Sequence, residues 1–213
     1  MFMALSPHSS ARAAPGGPAV PGSLTPQRLT VHGRDDPSRA EVESFIARVY
    51  ASRHGAQVQH FAESLVALRQ GNSIVAAAGY TPAGTAPLFL ERYLSAPVQV
   101  LLAARTPLPV PRAGVVEVGH LAAERAGEGR RLIFLLAPHL ASLGVQWVAS
   151  TLTSELRQLF VRIGVTPHVL AAADPAALGP EARQWGSYYT HQPVVVAGHL
   201  PRVLQQWKSG GQA

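Results

Sequence analysis

A carboxylate, a histidine, two glycines and two arginines fall within one short stretch, VVEVGHLAAERAGEGRR, residues 115 to 131. Glu117 stands amid apolar neighbours. A carboxyl withdrawn from water rises in pKa until it accepts a proton near neutral pH, which is what a general base requires. The same environment also suits a structural ion pair or a contact to a ligand's amino group. His120, three residues on, falls on the opposite face of an extended strand unless the strand bulges or splays. Gly127 and Gly129 precede Arg130 and Arg131 where a turn becomes a helix. The first turn of a helix presents unpaired N–H groups and the positive end of its dipole, glycine permits close backbone approach, and arginine adds charge. The stretch thus reads as a base beside a phosphate-binding turn.

The elements that must position these residues follow from periodicity. LTVH (29–32) predicts a strand. AEVESFIARVYASRHG places Val42, Phe45, Ile46 and Val49 at helical spacing and stops at Gly55. Leu65–Arg69 and Ile74–Tyr80 flank a Gly71-Asn72 turn and predict a hairpin. Pro97 starts a short helix. A strand over 115–122 leads through the glycine turn to a helix from Arg130 to Leu143, with Leu132, Leu135, Leu136, His139, Leu140 and Leu143 on its buried face. VQWVAST is a buried strand, Ser154 caps the helix ELRQLFVRIG, and TPHVLAAA is a strand. DPAALGPEARQWG is a loop with about one helical turn, and SYYTHQPVVVAGHL closes the sheet. This order is α/β with a mixed sheet, in which ligands gather at strand ends beside helix N-termini.

Composition sets the bounds. The 213 residues are 47% hydrophobic and 14% charged, which suits one folded domain. Residues 1–26 are dense in proline and glycine and read as a disordered tail, 27–201 as the domain and 202–213 as a C-terminal tail. The chain has no cysteine, which excludes disulfides, thiolate zinc sites and a cysteine nucleophile. Isolated histidines give no metal-binding spacing. The net charge of +6 comes almost wholly from scattered arginines without interleaved aromatics, a pattern unlike a nucleic-acid surface. No run is long and apolar enough to span a bilayer, so stable membrane insertion is not expected. A cytoplasmic location is.

The motifs carry a resemblance. ERAGEG after a central strand resembles the pyrophosphate-binding turn of the GNAT superfamily of N-acyltransferases, Arg/Gln-x-x-G-x-Gly/Ala, departing at its first position, where Glu124 stands. PLFLERYL, VVEVGHLAA, LRQLFVRIGV and WGSYYTHQPVVVAG together resemble the thermostable hemolysin family, GNAT-like chains despite that name. EVGHLA is more distantly similar to the Glu-x-x-Arg strand of acyl-homoserine-lactone synthases, with His120 in the arginine's place. The resemblance implies a splayed central sheet flanked by helices. It implies transfer of an acyl group from a pantetheine thioester, on acyl-CoA or an acyl carrier protein, to the amine of a small acceptor such as an amino acid. Such chemistry needs a held thioester, a base for the ammonium proton, a donor to the carbonyl oxygen and a proton for the thiolate. Glu117 is then the base, Glu91 a second acid for the acceptor's ammonium, and His120 a further site residue. The tyrosine that many relatives use as acid is absent from LFVRIG, which leaves Tyr188, Tyr189 or water. Arg125, Gly127, Gly129, Arg130 and Arg131 hold the thioester's phosphates, and Tyr93, Trp185 and Tyr189 line the acceptor pocket. Two other readings are a membrane-active protein, as the family name suggests, and a non-catalytic acyl-thioester binder.

Overall fold

The computed structural model describes residues 27–107 and 109–210; the tail expected over residues 1–26 lies outside them. Among the described residues seven strands form one sheet in the order β1 (Gln27–His32), β2 (Ser64–Gln70), β3 (Ser73–Pro82), β4 (Val115–Ala123), β5 (Trp147–Leu152), β7 (Val194–His199), β6 (His168–Ala172). All neighbours are antiparallel except β4 and β5. The helices are α1 (Arg39–His54), α2 (Val98–Ala103), α3 (Glu128–Ser142), α4 (Ser154–Arg162) and α5 (Leu200–Gly210). The fold is the mixed α/β sheet flanked by helices that the sequence predicts.

Alternation along the buried strands assigns the two faces. Leu65 and Ala67 of β2 pack under Val42, Phe45, Ile46 and Val49 of α1, while Val66 and Leu68 pack under Leu132, Leu136 and Leu140 of α3. Gly55 ends α1 in the left-handed conformation at φ 65°, where a side chain would be strained.

The sheet opens at its centre. β4 pairs with β5 only from Val115 to Glu117, opposite Trp147 to Ala149. Beyond that point β5 stays on β7 and β4 stays on β3, so the two parallel strands diverge. A bulge adds to the divergence: the β3–β4 register shifts between Ala77 and Gly79, and His120 takes φ 54°.

Several local expectations are corrected. The glycine-turn helix starts at Glu128, two residues earlier than predicted, and runs unbroken through Pro138. Its buried face is Leu132, Ile133, Leu136, Ala137 and Leu140. Leu135 and Leu143 are exposed, and His139 is half-buried with its ring at the Tyr80 hydroxyl. Thr153, not Ser154, caps α4 by accepting the Leu156 N–H. The stretch after residue 174 is a kinked 3₁₀ segment, Pro175–Trp185. Tyr188–His191 is another 3₁₀ turn, so the closing strand begins only at Val194. Of the expected C-terminal tail, 202–213, residues 202–210 belong to α5 and the rest lie outside the described residues; Trp207 packs on Phe134 with centroids 4.5 Å apart and donates to the Ile163 carbonyl at 2.7 Å.

Candidate active site

The bulge decides which residues of β4 share a face. Val116 and Val118 pack toward α3, and so do Leu121 and Ala123 after the extra residue; Glu117, Gly119 and His120 line a cavity on the opposite face. The structure therefore brings Glu117 and His120 to one side, which strict alternation forbids. The cavity holds about 270 Å³, with Phe61, Phe89, Tyr93, Trp185, Tyr188 and Tyr189 among its walls.

Glu117 sits on the last β4 residue still paired with β5. Its carboxylate accepts the backbone N–H of Leu90 at 3.2 Å and also that of Phe89. Both amides open the 3₁₀ turn Phe89–Tyr93. Burial pushes its pKa up to about 7; the two amides hold it back and the charge of Glu91 adds to the rise. The group exchanges protons near neutrality.

Glu91 has a different task from the expected contact with an acceptor. Arg112 grips it at 2.6 and 2.9 Å, and the amides of Leu88 and Val98 donate to it at 3.1 and 3.0 Å. The Arg112 bond, ahead of the cost of burial, lowers its pKa to about 2. Glu91 is not part of the cavity wall; it braces the turn whose amides hold Glu117.

His120 donates from Nε2 to the His60 carbonyl at 3.1 Å and lies against Phe61, with ring centroids 5.6 Å apart. Its Nδ1 is sealed without a partner. Burial pushes its pKa down to about 4, so the ring is neutral at pH 7. Tyr188 donates to the Thr151 carbonyl of β5 at 3.2 Å, and burial raises its pKa well above the usual phenol range. A buried, engaged phenol is a poor acid. The hydroxyls of Tyr93 and Tyr189 bond each other at 2.6 Å.

At the glycine turn, Gly127 caps α3 with φ 92°, a conformation that favours glycine. The first helical bond runs from Arg131 N–H to the Gly127 carbonyl, so the amides of Gly129 and Arg130 lead the helix. Gly129 has room: a Cβ there would meet only Ala123, at 3.6 Å. Arg125 and Arg130 have no ion-pair partner among the described residues, and Arg130 lies over the Phe134 ring. Arg131 is 3.7 Å from Glu128, whose carboxylate is drawn aside by Gln27 at 3.0 Å. Glu124, at the motif's first position, pairs with Arg48 at 2.7 Å, and Arg53 donates to the Ala123 carbonyl. These two α1 arginines bring charge to the turn, and sequence reasoning misses them. Nothing in the spacing of α1 marks them, because only the packing of α1 over β4 delivers them. No group of three or more His, Asp or Glu side chains that could hold a metal occurs among the described residues.

A second cavity lies on the α3 face of the same strands. Val118 of β4 and Val148, Ser150 and Leu152 of β5 form its floor, and Leu136 and Phe160 are among the apolar walls. Glu117, Gly119 and Thr151 face the first cavity, and Val118, Ser150 and Leu152 beside them face the second. The two cavities thus back onto one another where β4 and β5 part.

The fold is similar to several solved structures. It matches TofI in an apo form with a TM-score of 0.57 at 21% identity, covering 81% of this chain and 91% of that one. It matches FeeM, an N-acyl amino acid synthase from uncultured soil microbes, with a TM-score of 0.56 at 14% identity over 85% and 96% of the two chains. BjaI, a CoA-dependent acyl-homoserine lactone synthase solved with SAM and isopentyl-CoA, gives 0.59 at 13% identity over 86% and 89%. At these identities the likeness establishes the fold. A comparison with curated proteins returns no match. Residues 32–204 match the family model described as thermostable hemolysin. That is most of the chain, and it belongs to this family.

Proposed function

We propose that this protein is an acyltransferase that moves an acyl group from a pantetheine thioester to the amine of a small acceptor. The observation that carries the reading is the pair of cavities on opposite faces of the splayed strands, with Glu117 at the point of divergence. The similar folds point the same way, since FeeM is an N-acyl amino acid synthase and BjaI was solved with an acyl-CoA. The polar, aromatic cavity suits the acceptor and the apolar one suits the acyl chain. The thioester then lies across the gap, with its phosphates on the leading amides of α3 and on Arg125 and Arg130. Arg48, Arg53 and the lone arginines of the turn equally suit the acidic surface of an acyl carrier protein, so both carrier protein and acyl-CoA are donors to test.

In this reading the acceptor enters as an ammonium and Glu117 takes its proton. The freed nitrogen pair attacks the thioester carbon and the C–N bond forms. Backbone N–H groups on the β4 edge past Glu117, which has no strand partner toward β5, face the developing oxyanion. Collapse breaks the C–S bond. The thiolate leaves with a pKa of roughly 8.5, and the second proton shed by the attacking nitrogen reaches it through water without a dedicated acid. Such a reaction belongs in the cytoplasm, where acyl thioesters are made. The family's name suggests membrane lysis instead, but the apolar faces of α3 and α5 are spent on the core, and no helix among the described residues is long and apolar enough to cross a membrane.

The test is free-thiol release from acyl-CoA and acyl carrier protein across chain lengths, with and without pooled amines. The absence of cysteine leaves no background from the enzyme itself. Release that depends on amine supports the proposal. Folded protein that releases no thiol from any donor would return the chain to a binding role.

A further inference from the structure

Five aromatic side chains pack in a closed loop of contacts that forms one wall of the acceptor cavity. Phe89 and Trp185 have centroids 5.7 Å apart, Trp185 and Tyr188 5.4 Å, and Tyr188 and Tyr189 5.4 Å. The Tyr189 hydroxyl bonds that of Tyr93, whose ring returns to Phe89 at 6.0 Å. All five line the cavity with Glu117. They come from two separate segments, the turn 89–93 and the stretch 185–189, so the ring exists only in the folded chain.

The charges around it are lopsided. Glu117 is enclosed, Glu63 is half-buried, and Glu181 is exposed and paired with Arg92. Arg34, itself exposed, is the only arginine or lysine among the residues that line the cavity. His120 is neutral at pH 7 and its outward nitrogen is committed to His60. The Tyr93 and Tyr189 hydroxyls are committed to one another. Aromatic faces attract cations and stack on flat bodies, and a carboxylate anchors an ammonium. A carboxylate buried in the same cup stands near Glu117, with exposed Arg34 as the one arginine or lysine of the described lining to offset it.

We infer that the acceptor is a carboxylate-free amine carried on a flat or aromatic body, an arylalkylamine by class, with its ammonium at Glu117 and its ring inside the aromatic wall. This rests on the acyl-transfer reading for its chemistry but not for its binding. An α-amino acid of the same side chain fits the ring equally well and is rejected by its carboxylate alone.

Matched pairs isolate that difference: 2-phenylethylamine against phenylalanine, and tryptamine against tryptophan, with hexylamine as the non-aromatic control. Binding to the full chain is measured by calorimetry, and acylation by product mass with the acyl-CoA and carrier-protein donors. Each arylalkylamine is expected to bind, and to be acylated, at least tenfold better than its amino acid. Phe89→Leu, a change at a partly exposed ring, is expected to weaken 2-phenylethylamine severalfold more than it weakens hexylamine. Tenfold discrimination in binding without acylation of any amine would uphold the acceptor class and sink the acyl-transfer reading. Acylation of the amino acids equal to or better than that of the amines would overturn the acceptor class and leave acyl transfer standing. Absence of binding by every compound would also overturn it.

Discussion

Replacing Glu117 by glutamine should shift the stability balance toward the variant as pH rises, while disabling the protein. Burial raises the folded-state pKa of this carboxyl from 4.5 to about 7. A carboxyl raised in the folded state favours folding most below its unfolded pKa, and that advantage is lost as pH climbs through the folded value. A tenfold change in proton affinity corresponds to about 1.4 kcal/mol, so the wild type carries a penalty of roughly 3 kcal/mol at pH 8 and under about 1 kcal/mol at pH 5. Glutamine carries no charge and escapes this penalty, but it changes the hydrogen bonds to Leu90 and Phe89 by an amount that does not depend on pH. Comparing the two proteins at two pH values cancels the second effect. Urea unfolding at pH 5 and pH 8 is the assay. The stability difference, variant minus wild type, should grow by roughly 2 to 3 kcal/mol in the variant's favour over that interval. Parallel curves, differing by less than about 0.5 kcal/mol between the two pH values, would refute the claim that Glu117 is a desolvated, proton-exchanging group.

Acyl transfer by the wild type should rise with pH through about 7 as Glu117 loses its proton, and kcat for Glu117→Gln should fall by roughly 10²-fold or more with donor KM little changed. Gly129→Asp places a carboxylate at the leading amides of α3 and should raise donor KM at least tenfold with little loss of stability, since space for its Cβ exists. Arg112→Ala frees Glu91 and loosens the turn that hands amides to Glu117. Stability should fall by roughly 1–3 kcal/mol, and the pH–rate inflection should move upward because Glu117 loses amides and feels more of the Glu91 charge. Gly186→Ala should be the most damaging small change, costing roughly 3 kcal/mol or more by thermal or urea unfolding. Its Cβ would collide with the His54 carbonyl oxygen, at a φ of 52°, where the stretch carrying Trp185 is strapped to α1.

The sheet and helices are largely legible in the sequence because their signals are local. The α1 stripe, the Gly71 hairpin and the β4 to α3 passage each declare themselves within about ten residues. Leucine alone is a poor mark of burial on α3: Ile133 and Ala137 occupy the inward face, while Leu135 and Leu143 point to solvent. SYYTH reads as strand by propensity but curls into a 3₁₀ turn, because Tyr188 must reach β5 and Ser187 must reach His54. The α5 helix does leave a local signal that the tail assignment overlooks, Pro201 in its first turn and Leu200, Val203, Leu204 and Trp207 at helical spacing, and Trp207 docks on Phe134 of α3.

The candidate site divides in the same way. Glu117 and the glycine turn stand out by their apolar setting and their order before a helix. The His120 bulge leaves only a weak trace in the sequence, Gly119 inside a strand, and it is the folded sheet that fixes His120 at positive φ. Glu91 looks like chemistry because it too sits among apolar residues; its partner Arg112 lies 21 positions away, beyond any local pattern. The aromatic ring joins residues 89 and 93 to residues 185, 188 and 189, and only the folded chain brings them together.

The measurement that bears most directly on the central claim is the mass of the product formed from an acyl thioester and an amine, by the wild type and by Glu117→Gln side by side. An amide that accumulates with stoichiometric thiol release in the wild type, and falls by roughly 10²-fold in the variant, is the predicted result. Equal amide from both proteins would remove Glu117 from the chemistry. Thiol release without amide would show hydrolysis in place of transfer.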